Sequence, residues 1–126
     1  MAIPIGPIDL PDTKTSTRIS NITEVTDRTF DAEVLKSQKP VLVVFSTAWC
    51  PACKQQSAIL EEVARDYKDK IKFVKVDAEN NLWVLATYKV SQVPKLILFK
   101  AGEAVDTKKG LHSNSSIREI ISNHIN

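Results

Sequence analysis

Cysteine is almost missing from this chain: Cys50 and Cys53 are the only two in 126 residues. A framework of structural disulfides needs distant pairs, so it is excluded. A bridge between residues this close closes too short a loop to add much stability. The value of the pair is therefore chemical. A zinc site needs four ligands, yet no second cysteine pair exists, and His112 and His124 lie far along the chain. No metal is expected, and neither histidine is given a role. Long apolar runs are missing too. Nothing approaches the roughly 18 consecutive apolar residues of a membrane span. The net charge of +2 is small and no basic stripe occurs, so neither nucleic acid nor a membrane surface is expected as a partner.

The N-terminal stretch lacks a basic segment followed by an apolar one, and no secretory signal is expected in it. It carries Pro4, Pro7 and Pro11 and then the polar run Thr13 to Ser20. Residues 1–20 therefore read as a flexible arm and residues 21–126 as one domain. An apolar fraction of 43% is enough for that domain to bury a core.

From Asn21 onward, strand-like and helix-like segments alternate. Ile22 to Val25 is a short strand. Thr26 or Asp27 is the expected cap of a helix with Phe30, Val34 and Leu35 on one face. The continuous run Val41-Leu42-Val43-Val44-Phe45 suits a central strand covered on both faces. A helix starts at the cysteines and runs to about Tyr67, with Ile59, Leu60, Val63 and Ala64 at helical spacing. Ile71 to Asp77 is a third strand, and Leu82 to Tyr88 a short helix. Lys95 to Phe99 is a buried strand, Ala101-Gly102 a hairpin turn, and Glu103 to Lys108 an edge strand. Ser113 or Asn114 caps a last helix facing inward with Ile117, Ile120 and Ile121. The order βαβαβαββα predicts an α/β domain, a mixed sheet with helices on both faces.

A redox dithiol needs two sulfurs within reach of each other, one of them attacking as thiolate. A helix N-terminus favours that anion through its unpaired N–H groups. Cys50 follows a central strand where a helix begins, and Cys53, one turn later, is placed to resolve a mixed disulfide. Pro51 sits at the first helical position, where its missing N–H costs nothing. Trp49 is expected to shield the pair. Pro94 directly precedes a buried strand, which leaves Val93 extended. Its peptide isomer is left open.

Taken together, these pieces resemble the thioredoxin family over about Asn21 to Ile125. The resemblance rests on Phe30-Asp31-Ala32-Glu33-Val34-Leu35, Trp49-Cys50-x-x-Cys53-Lys54, Lys75-Val76-Asp77, Val93-Pro94, Phe99-Lys100-Ala101-Gly102 and Gly110. It implies the thioredoxin fold, with Pro94 as a cis-proline facing the cysteines. It also implies a substrate groove of Trp49, Pro51, Ala52, the Val93 backbone, Pro94 and Gly110, where a substrate strand pairs. The implied catalytic residues are Cys50 and Cys53, with no cofactor.

The chain departs from the family pattern in several places. Pro51-Ala52 stands where Gly-Pro is usual. Val44 replaces a buried aspartate, while the lysine that pairs with that aspartate is kept as Lys75. Ala58 replaces a helix-kinking proline, which predicts a straighter helix. Ser46 follows Phe45 where an aromatic residue is common, and Lys95 replaces a threonine. Lys54, Lys95 and Lys109 are expected to ring the site with Lys75 beneath it and no carboxylate nearby. Such a setting predicts a stabilised thiolate and a more oxidising disulfide. Val44 also predicts a slow resolving step, which Val44→Asp should accelerate.

The resulting expectation is a cytoplasmic, monomeric thiol–disulfide oxidoreductase acting on disulfide-containing proteins, with a thioredoxin reductase as electron donor. A more oxidising, isomerase-like protein and a redox-inactive binding module of the same fold are the alternatives.

Overall fold

The computed structural model describes residues 20–125. Apart from Ser20, the expected arm lies outside the described residues. The elements run β1 (Ile22–Val25), α1 (Asp31–Leu35), β2 (Val41–Ser46), α2 (Pro51–Tyr67), β3 (Lys72–Asp77), α3 (Leu82–Thr87), β4 (Lys95–Lys100), β5 (Glu103–Lys109) and α4 (Asn114–His124). Each falls where its residue pattern placed it. The five strands form one sheet in the order β1-β3-β2-β4-β5. Strands β1, β3 and β2 are parallel, whereas β4 is antiparallel to β2 and β5 antiparallel to β4.

Alternation along the strands builds two cores. Val41, Val43, Phe45, Val74, Val76, Ile97 and Phe99 face one side, where they meet Val34 of α1 and Val84 of α3. Leu42, Val44, Phe73, Leu96 and Leu98 face the other, where they meet Leu60, Val63 and Ala64 of α2 and the isoleucines of α4. Burial on both faces explains why β2 and β4 read as unbroken apolar runs.

Helix α1 is a single turn wound as a π-helix. Its entry is built by the Thr26 carbonyl, which accepts the N–H groups of Thr29 at 3.0 Å and Phe30 at 2.8 Å. The cap expected of Asp27 goes elsewhere. Its carboxylate accepts the N–H groups of Trp83 at 3.2 Å and Val84 at 3.0 Å, so Asp27 caps α3 across the sheet edge. At the β4–β5 hairpin both turn residues are left-handed, with φ 53° at Ala101 and 82° at Gly102, as a two-residue turn matching strand twist requires. A Cβ on Gly102 would stand 2.9 Å from the Leu35 carbonyl oxygen, so the hairpin tip closes against the end of α1.

Ser113 caps α4 by accepting the Ser116 N–H at 3.2 Å. The central strand β2 ends at the sheet's carboxyl edge, between a parallel and an antiparallel neighbour. Ligand sites of open α/β sheets gather at such an edge.

Candidate active site

The chain leaves β2 through Thr47, Ala48 and Trp49 and enters α2 at Cys50. Cys50 is the N-cap residue, with extended backbone (φ −92°, ψ 114°), and its Sγ accepts the Cys53 N–H at 3.1 Å. Caps are usually small residues with a side-chain oxygen that accepts this bond. Here a sulfur fills the role, and an N–H donor already points at it. Pro51 occupies the first helical position and Ala52 follows on the same turn. Both cysteines are free thiols. Cys50 is 7% exposed and Cys53 is 1% exposed, so Cys50 is the sulfur a substrate can reach.

Burial, followed by the hydrogen bond with Cys50, pushes the Cys53 thiol up to about 11 from its ordinary value of 9.0. Groups on Thr47 act in the opposite direction. Cys53 is thus protonated at neutral pH and needs help to become a nucleophile.

The wall beside Cys50 is an open cavity of about 380 Å³ lined by Trp49, Ala78, Leu85, Val90 and Val93. The Val93–Pro94 peptide is cis. The Pro94 carbonyl accepts the Gly110 N–H at 2.9 Å, which ties the two loops together. Gly110 has φ 80° and open space where a Cβ would be. Trp49 is 68% exposed. Its indole N–H donates to Glu79 Oε2 at 2.6 Å, so the ring is oriented without being buried.

A second cavity, about 370 Å³, lies beneath Cys53 and is lined by Glu24, Ser46, Thr47, Lys54, Lys75 and Asp77. Val44 is fully buried and stands in register with Lys75 on β3. Lys75 is half-buried and shares its cavity with two carboxylates. The expected ring of lysines is therefore corrected in two ways. Lys95 is buried on the α3 side, and its ammonium donates to the Lys89 carbonyl at 3.2 Å. Lys95 shares the face of Ile97 and Phe99 and lines neither cavity. The expected absence of carboxylates is also wrong, because Glu79 reaches Trp49 while Glu24 and Asp77 reach the space beneath Cys53. The site is mixed in charge rather than cationic.

Gln56 is a residue that sequence reasoning passed over. It is fully buried, accepts the His112 N–H at 2.7 Å and donates to the His112 carbonyl at 3.0 Å. It pins the loop after Gly110 to α2 one turn beyond Cys53. The His112 ring closes that loop, bonding the Lys109 carbonyl at 3.0 Å and Ser116 Oγ at 2.9 Å. A glutamine on an otherwise apolar helix face was the available signal. Among the described residues no group of three or more His, Cys, Asp or Glu side chains could hold a metal ion. No helix there is long and apolar enough to cross a membrane.

The thioredoxin family model matches residues 21–123. A thioredoxin of Rickettsia bellii is 43% identical over 101 residues, covering 80% of this chain and 96% of its own length. A thioredoxin of Pyropia yezoensis is 36% identical over 105 residues, covering 83% and 98% respectively. Thioredoxin 1 of a Nostoc species is 36% identical over 107 residues, covering 85% of this chain and all of its own. Similarity of this extent, on a mixed sheet carrying a closely spaced cysteine pair, means that the chain belongs to the thioredoxin family and is a thiol–disulfide oxidoreductase.

Proposed function

We propose that the protein is a monomeric disulfide reductase of the cytoplasm, recharged by a thioredoxin reductase. Cys50 attacks a substrate disulfide, a mixed disulfide forms, and Cys53 displaces the reduced substrate. One observation carries the assignment of roles. The two sulfurs are unequal: Cys50 faces the open cavity and receives an N–H donor, while Cys53 lies buried behind it with its proton held. Thiol–disulfide exchange uses such an asymmetry, because one sulfur must meet substrate and the other must wait.

The substrate groove in this reading runs over Trp49, Pro51 and Ala52 and is closed by Val93, cis-Pro94 and Gly110. In this reading the Val93 backbone supplies strand-like hydrogen bonds to a bound segment. The apolar lining of Ala78, Leu85 and Val90 accepts its side chains. Val44, Lys75 and Lys95 modulate the pair only indirectly. Pro51 and the acid missing at Val44 suggest the oxidising reading, and the mixed charge around Cys53, in place of a ring of lysines, supports the reducing one.

The test is insulin reduction driven by NADPH with and without a thioredoxin reductase, together with a redox titration. The expected result is reductase-dependent turnover and a potential near the roughly −270 mV of thioredoxins. Turnover indifferent to the reductase, with a potential closer to the about −120 mV of strongly oxidising disulfide donors, would replace this reading by the oxidant one.

A further inference from the structure

Thr47 joins the end of β2 to the turn that carries Cys50, and the exchange described so far leaves it without a part. The residue is 9% exposed. Its hydroxyl is the one buried side-chain polar atom among the described residues that has no hydrogen-bond partner. A buried hydroxyl without a partner has lost its hydration and received nothing in return, so it is disfavoured unless another state satisfies it. Its surroundings point to that state. Thr47 lines the cavity of Cys53 on one side and that of Cys50 on the other. Its carbonyl accepts the Cys50 N–H at 3.5 Å, which holds it close to the turn.

We propose that Thr47 is a positioning residue for the resolving step, its hydroxyl donating to the Cys53 sulfur as that sulfur becomes a thiolate.

A thiol is a weak acceptor and a thiolate a strong one. The hydroxyl is unpaired beside the neutral Cys53 and gains a charge-assisted bond when the anion forms. An interaction made in only one of two states shifts the balance between them, whereas one made equally in both does not. Both the backbone and the side chain of Thr47 favour the Cys53 anion, against the burial and the Cys50 sulfur that oppose it. Val44 offers no acid, and of the hydroxyls that line the Cys53 cavity (Ser46, Thr47 and Ser57) that of Thr47 is the one buried without a partner. It stabilises the anion and does not take the proton.

That proton passes to solvent through the cavity under Cys53, whose other charged groups are Glu24 of β1, Lys54 of α2, and Lys75 and Asp77 of β3. The Cys53 thiolate then attacks Cys50 Sγ in the mixed disulfide. The Cys50–Cys53 bond forms, the bond from Cys50 to the substrate sulfur breaks, and the substrate leaves as a thiolate that takes a proton from solvent.

Thr47→Val removes the hydroxyl and keeps the branched shape; Thr47→Ser keeps the hydroxyl. Cysteine Cβ shifts, followed by NMR in the full reduced chain, report the titration of Cys53. Insulin-reduction pH profiles report the step itself. The valine variant is expected to move the Cys53 midpoint upward and to slow resolution near neutral pH by about tenfold, the size of a lost hydrogen bond to a charged group. The serine variant is expected to hold the parent midpoint. An unmoved midpoint in the valine variant overturns the proposal. So does a serine variant as impaired as the valine one, because packing of the methyl group would then be the cause. Thr47→Ala supplies the same comparison if the valine variant does not fold.

Discussion

Val44 lies in the core between the sheet and helices α2 and α4, in register with Lys75 on one neighbouring strand and Leu96 on the other. A carboxylate placed there loses its water, and the nearest countercharge is the Lys75 ammonium, which opens onto the cavity of Cys53. Val44→Asp is therefore expected to lower stability by about 2 kcal/mol, read from urea denaturation. It should also raise insulin-reduction turnover near neutral pH by giving the Cys53 proton an acceptor. A folded variant with unchanged turnover would show that solvent in the cavity already serves that need. At this scale the redox pair was legible because its signal is local: two cysteines, a proline at the first helical position and a strand before them. The groups around it were not, since Glu24, Thr47 and Asp77 meet through register and a shared cavity, and Glu79 meets Trp49 only in the folded chain. Lys95 was misplaced even though the alternation Lys95, Ile97, Phe99 assigns it to the α3 face.

Among the elements, α3 depends most on a residue outside itself. It has six residues, and Asn81 at its N-cap makes no side-chain capping bond. Its first N–H groups are satisfied by Asp27 from the loop after β1. Removing that carboxylate leaves donors unpaired at a helix start, so Asp27→Ala is expected to cost about 1 kcal/mol, measured by chemical denaturation. Because Leu85 of α3 lines the Cys50 cavity, the same variant should weaken substrate binding, seen as a higher KM for insulin. Strand and helix positions followed from periodicity. The destination of Asp27 did not, because the local reading offered a neighbouring helix as an equally good partner. The π winding of α1 was hidden for a related reason: Phe30 and Val34 bury the same face in either kind of turn.

Across the whole molecule, the sheet divides the labour. The α1 and α3 side holds one core and the apolar wall of the Cys50 cavity. The α2 and α4 side holds the other core, the buried Cys53 and the Gln56 clamp that keeps the Gly110 loop against α2. The two sulfurs thus sit between two cavities, with Cys50 the more exposed and Cys53 the more buried, and the proposed order of events follows from that difference. Trapping the mixed disulfide tests it most directly. The Cys53→Ser and Cys50→Ser variants, both reduced, are each incubated with insulin, and covalent adducts are identified by mass spectrometry. Cys53→Ser is expected to accumulate an adduct through Cys50 that dithiothreitol releases, and Cys50→Ser to form none. An adduct on Cys53 in the Cys50→Ser variant, with none in Cys53→Ser, would contradict the assignment of attacking and resolving sulfurs.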